Sequence, residues 1–116
     1  MRLTLPLPPS ANRYWRSICR GNRPRVLVSK DGRSYRKRAR LVGAAQAKAD
    51  PFTVPVCVSL HVVTPTRRGD LDNRVKPTLD ALQGLAFDDD KRVVEIRATR
   101  SVDKENPRVE VEVREA

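Results

Sequence analysis

The sequence predicts an α+β fold: a small mixed β-sheet with two main helices, built as a single domain over residues 1–116. Three observations predict it. Residues 54–62 and 108–114 alternate apolar and polar side chains with a period of two, the mark of strands. Residues 30–49 and 72–86 carry apolar side chains at helical spacing. A chain of 116 residues fits one domain, and at that size it can bury roughly 65% of its unfolded surface, enough for one core.

Taken in order, Leu3, Leu5 and Leu7 alternate in an opening strand that Pro8 and Pro9 end. Residues 10–25 read as a loop in which Arg13, Arg16, Arg20, Arg23 and Arg25 interleave with Tyr14 and Trp15. A brief extended piece, residues 26–28, leads to Ser29 as a helix N-cap. The helix over 30–49 packs through Tyr35, Ala39, Val42, Ala45 and Ala49, while Arg33, Arg36, Lys37, Arg40 and Lys48 make its opposite side strongly positive.

The strand over 54–62 places Pro55 at its start or on an edge, because proline donates no ladder hydrogen bond. In the helix over 72–86, Leu71, Val75, Leu79, Leu82 and Ala86 form the buried stripe, with Asp72, Lys76, Asp80 and Gln83 beside it. A strand over 92–102 sets Val94, Ile96 and Ala98 on one face. The last strand alternates Val109, Val111 and Val113 with Glu110 and Glu112. The order is roughly β-(β)-α-β-α-β-β, a sheet with helices packed on it.

Lys and Arg number 24 against 14 Asp and Glu, a formal charge of +10. So basic a domain seeks a polyanion, because cations that neutralise phosphates release condensed counterions. Charge names the class of partner and not the function. Two cysteines, Cys19 and Cys57, and one histidine exclude a Cys/His zinc site. The opening residues have prolines where a signal peptide needs an apolar run, and no stretch is long enough to span a membrane. A reducing, cytoplasmic location is expected.

Against this background one region concentrates acid: Asp70, Asp72 and Asp80, then Asp88, Asp89 and Asp90. On an extended segment Asp70 and Asp72 point the same way. Lys76 sits one turn after Asp72 on the same helix face. A strand–helix–strand excursion is expected to bring Asp90 back toward them. Magnesium takes oxygen ligands of this kind, polarises a phosphoryl group and lowers the pKa of a water; Lys76 adds positive charge where negative charge develops. The plainer reading is that these acids are helix caps and turn residues. A cap, however, needs one aspartate and not two.

Asp80 reads as a surface ion-pair partner of Lys76, His61 as a structural strand histidine, and Cys19 and Cys57 as a loop thiol and a packed residue. Tyr14 and Trp15 suit stacking on bases or packing.

Asp70-Leu71-Asp72-Asn73, followed by Lys76 and Asp80-Ala81-Leu82, resembles the signature of the RusA family of Holliday junction resolvases. So does Asp89-Asp90 ahead of Val93-Val94, and the run from Pro8 to Arg16 is similar to that family's opening segment. The resemblance covers nearly the whole chain. It implies a RusA-like homodimer, bacterial or phage-encoded, that binds branched DNA and nicks two opposed strands of a four-way junction in recombination and repair. The implied cofactor is magnesium, with manganese a substitute, and no organic cofactor.

Position by position, the resemblance implies Asp70, Asp72 and Asp90 as metal ligands, with Asp89 the alternative third, and Lys76 as the catalytic lysine. Asn12, Arg13, Tyr14, Arg16, Arg67, Arg68, Asn73 and Arg74 are the candidate DNA contacts. Two other readings stand: a non-enzymatic basic nucleic-acid-binding protein, and a nuclease preferring flaps or forks.

Overall fold

Alternation does most of the construction. In the computed structural model, which describes residues 1–21 and 23–116, strand β1 (Arg2–Leu5) buries Leu3 and Leu5 and exposes Arg2 and Thr4. Strand β6 (Arg108–Glu115) buries Val109, Val111 and Val113, and pairs antiparallel with β1. Strand β4 (Val56–Thr64) begins directly after Pro55, as the missing amide requires, and pairs antiparallel with β6. Strand β5 (Val93–Val102) lies parallel to β4, from Val56 opposite Val93 to Thr64 opposite Val102. The sheet order is β1-β6-β4-β5, so β5 is an edge.

Residues 10–25, expected to be a loop, form structure. A short helix α1 (Ala11–Tyr14) leads into a separate antiparallel hairpin, β2 (Trp15–Arg20) with β3 (Arg23–Val28). Gly21, at φ 63°, supplies the left-handed conformation the turn needs. Trp15 and Ile18 are half-buried while Arg16, Ser17 and Cys19 are exposed, so no period of two marked this strand in the sequence.

Helix α2 (Lys30–Gln46) starts where expected, with the Ser29 hydroxyl accepting from the Gly32 amide at 3.0 Å. Its buried face is Gly32, Tyr35, Ala39 and Gly43, not the expected stripe: Val42 and Ala45 are exposed and Ala49 lies beyond the helix. The two glycines explain the rotation, because they let the helix come close. A Cβ on Gly32 would stand 2.5 Å from the Tyr14 carbonyl oxygen, and one on Gly43 would stand 2.4 Å from Leu85 Cδ2.

Helix α3 (Asp72–Leu82) connects the parallel strands β4 and β5. It ends earlier than expected. The chain turns at Gly84, φ 84°, and carries Leu85, Ala86 and Phe87 into the core beneath the sheet. A second, smaller core of Tyr14, Tyr35, Ala39 and Ala81 joins the three helices. Among the described residues no helix is long and apolar enough to cross a membrane.

Candidate active site

Helix α3 presents its acidic line along a cleft of about 440 Å³ between itself and β5, lined by Trp15, Asp72, Val75, Lys76, Leu79, Asp80, Asp90, Val93 and Ile96. The Lys76 ammonium lies 6.0 Å from the centroid of the Trp15 ring, near the limit of a cation–π contact. Trp15 is held in turn by an edge-on contact with Tyr14, ring centroids 4.8 Å apart.

The aspartate triplet divides its work. Asp88 accepts two hydrogen bonds from Arg92, at 2.9 and 3.2 Å, which hold its carboxyl below the usual carboxylate range. Asp89 caps a single 3-10 turn (Asp90–Arg92) by accepting from the Lys91 amide at 3.0 Å, and that bond lowers its pKa as well. Asp90 alone of the three lines the cleft.

Capping does not explain Asp70 or Asp72. Leu71 occupies the N-cap position of α3, and no side chain caps that end. Among the described residues neither carboxylate forms an ion pair, although the chain carries ten excess positive charges.

Two geometric expectations need correction. Leu71 is helical, φ −58° and ψ −43°, so Asp70 and Asp72 are not two residues apart on an extended segment. On a helical turn such residues diverge; Asp72 lines the cleft and Asp70 stands on the exposed turn before it. Nor does the β4–α3–β5 excursion return to its start. Because β4 and β5 are parallel, β5 begins at the opposite end of the sheet from the turn that carries Asp70.

The Asp90 amide is held by Gln83 Oε1 at 3.3 Å, just past the C-terminal end of α3. At about 1.5 Å per residue, the length of α3 places that end roughly 16 Å from Asp72. Among the described residues no three His, Cys, Asp or Glu side chains gather where one ion could bind.

Other expected residues take structural work. Tyr14 is fully buried, so it cannot stack on a base; its hydroxyl donates to Asp80. Burial first, then that hydrogen bond and the Asp80 charge, push the Tyr14 phenol above its ordinary pKa. Asp80 pairs with Arg36 at 3.3 Å, not with Lys76. The Arg74 guanidinium donates to the Pro8 carbonyl, tying α3 to the proline turn, and burial followed by the charges of Arg100 and Arg13 lowers its pKa. Arg13 pairs with Asp31 at 3.2 Å. Asn12, Arg16, Arg67 and Arg68 are exposed and Asn73 is half-buried. His61 bridges Thr99 and Ser101 at 2.7 and 2.9 Å, the structural role expected.

Arg100 went unremarked in the sequence. Its guanidinium donates to the carbonyls of Gly69, Thr66 and Arg68 at 2.6, 3.2 and 3.0 Å, fixing the turn that presents Asp70. Nothing local to Arg100 signals this, since its targets lie more than thirty residues away.

Fold and charge define the class: a basic α+β protein suited to a polyanion, with three aspartates and a lysine lining one cleft. The sequence profile of the family Endodeoxyribonuclease RusA matches residues 6–114, and the chain belongs to that family. It is similar to the Crossover junction endodeoxyribonuclease RusA of Escherichia coli K12, 37% identical over 97% of this chain and 92% of the relative. The corresponding protein of Enterobacteria phage 82 is 35% identical over the same shares. That of E. coli O139:H28 is 40% identical over 84% of this chain and 80% of the relative. The resemblance read from the motifs is borne out, and with it an endodeoxyribonuclease of α+β fold.

Proposed function

We propose that this chain is a magnesium-dependent junction resolvase. It nicks two opposed strands of a four-way DNA junction as a cytoplasmic homodimer, each protomer supplying one set of the residues above. The observation that carries the reading is the pair Asp70 and Asp72, carboxylates that form no ion pair among the described residues in a chain of net charge +10. Its relatives are named crossover junction endodeoxyribonucleases, which supports the choice of substrate.

The donor chemistry fits magnesium: the cleft offers carboxylate oxygens and no cysteine or histidine, as a hard cation requires. Asp72 and Asp70 would hold the ion at the N-terminal end of α3, and manganese suits the same donors; Asp90 of the same chain, beyond the other end of the helix, stands too far away to share it. Such an ion supplies Lewis-acid polarisation of the scissile phosphoryl group and a lowered pKa for the attacking water.

The chain's own residues do the rest. Lys76, exposed and one turn from Asp72, places its ammonium where charge develops on the phosphoryl oxygens and the leaving oxygen. Arg16, Arg67 and Arg68 hold backbone phosphates on either side, contacts that set register without reading sequence. Asn12 and Arg13 of α1 and Asn73 in the first turn of α3 are further candidates for contact with the DNA. Trp15 keeps Lys76 over the cleft.

The test is a labelled four-way junction incubated with the protein, with and without magnesium, beside flap and fork substrates. Symmetric nicks in the junction that need the metal are expected. Binding without any nick overturns the proposal, and preferential cutting of flaps or forks moves the substrate to those structures.

A further inference from the structure

From Met1 to Lys30 the chain carries seven cations and no acid, and four of the seven, Arg16, Arg20, Arg23 and Arg25, lie on the β2–β3 hairpin. The hairpin is a sheet of its own, held at its root. There Trp15 and Val28 pack against the small core around Tyr14, and the Ser29 amide donates to the Tyr14 carbonyl at 2.8 Å. Beyond the root, every residue of β3 from Arg23 to Leu27 is exposed. Two strands alone are marginally stable in water, so a ribbon standing clear of the core gains from a surface laid along it.

Register sorts the side chains of this ribbon. Directly opposed residues share a face, and successive ones alternate. Trp15 with Val28, Ser17 with Val26 and Cys19 with Pro24 make one face, which holds no charge. Arg16 with Leu27, Ile18 with Arg25, and Arg23 belong to the other. Among the described residues none of these three guanidiniums forms an ion pair. Like charges crowded on one face of a ladder repel, and anions laid against it relieve the repulsion.

We infer that the hairpin grips a duplex arm of the substrate, lying in the major groove with its arginine face turned to the DNA. The inference rests on the nuclease reading for its substrate. The major groove, about 12 Å wide, admits a two-stranded ribbon. Arg16, Arg23 and Arg25 meet phosphates along the groove walls and release their counterions. Ile18 and Leu27, between the arginines, suit thymine methyl groups on the floor. Trp15 heads β2 and lines the cleft beside Lys76, so the ribbon sets out from the active site. Six residues per strand, at about 3.3 Å each, extend roughly 20 Å, the length of about six base pairs. The competing use of a hairpin is a wedge between bases at the branch point, which needs apolar side chains at its tip. Here the tip reads Arg20, Gly21, Asn22 and Arg23.

Dimethyl sulphate footprinting of a four-way junction, without magnesium so that no strand is cut, tests the placement. The native chain is expected to shield guanine N7 atoms, which face the major groove, over about six base pairs of an arm next to the branch point. The double variant Arg23→Gln/Arg25→Gln should lose that shield and bind the junction about tenfold or more weakly. Its log–log dependence of affinity on salt should be shallower by about two. Its unfolding midpoint should not move, because both side chains are exposed. Native binding that leaves the arm guanines open, or a variant that keeps either the shield or the native affinity, overturns the ribbon.

The footprint needs no cutting, so the two readings fail separately. A chain that shields the arm but never nicks the junction with magnesium overturns the nuclease reading and leaves the ribbon standing. One that nicks the junction with the arm guanines open does the reverse. A chain that binds no junction overturns both.

Discussion

Arg100 donates to the carbonyl of Gly69 at 2.6 Å, so the edge strand β5 holds the turn that carries Asp70. Two more carbonyls, of Thr66 and Arg68, fill the same guanidinium fork. Arg100→Ala is therefore expected to lower junction turnover about tenfold or more, since a misplaced carboxylate costs rate steeply. The unfolding midpoint should barely move, because the contact is exposed. Arg100→Lys should rescue little, as one ammonium cannot span three carbonyls. Intact turnover in Arg100→Ala would remove the turn's geometry from the mechanism.

Asp70→Asn is expected to abolish cleavage with magnesium while junction binding persists or tightens, because a repulsive charge near phosphate is removed. Lys76→Ala should reduce kcat by about a hundredfold or more with a smaller change in affinity, the pattern of an interaction made in the transition state. Equal losses in kcat and affinity would make Lys76 a phosphate contact only.

Tyr14 and Tyr35 give the fold an alkaline limit. Burial holds both phenols above their ordinary pKa in the folded state. A raised folded value means that the contribution is complete below the unfolded pKa of about 10 and lost as pH climbs beyond it, where the unfolded chain releases protons that the folded one retains. Urea midpoints should hold to about pH 10 and then fall. Tyr14→Phe, which leaves Asp80 without its hydroxyl donor, should cost about 1–3 kcal/mol at neutral pH and make the alkaline decline shallower.

The glycines of α2 should differ in tolerance. Gly32→Ala drives a methyl into the Tyr14 carbonyl, a backbone atom held by the Ser29 amide at 2.8 Å, so α1 and α2 must separate. Gly43→Ala meets the Leu85 and Leu5 side chains, which can turn. Overpacking of this kind costs about 1–3 kcal/mol; Gly32→Ala should fall at the upper end and Gly43→Ala at the lower, measured by denaturant midpoints. The reverse order would show α1 to be the more yielding neighbour.

His61→Gln should leave turnover within about twofold, since the histidine is occupied by Thr99 and Ser101 and an amide can bond hydroxyls in its place. A large loss of turnover without a change in stability would return His61 to the list of catalytic candidates.

The four strands of the main sheet and the polyanionic class of partner were legible in the sequence because they depend on side-chain periodicity and net charge, which are local or additive properties; the β2–β3 hairpin was not. Leu3 and Leu5, Val58 to Val62 and Val109 to Val113 alternate without needing a neighbour to explain them. The Asp-Leu-Asp-Asn string with Lys76 carried the family. Tertiary structure alone decided that β4 and β5 run parallel. Strand direction is set by how α3 packs across the sheet, and that choice sends Asp90 to the far end of the helix from Asp72.

It also decided that Asp88, Asp89 and Asp90, identical as residues, divide into an ion pair, a cap and a cleft carboxylate. Their roles follow from Arg92, the Lys91 amide and the cleft, each fixed by the path of the chain. Tyr14 left the surface for the same reason: the half-buried Asp80 carboxylate takes its hydroxyl, and side chains of α2 and α3 close around its ring.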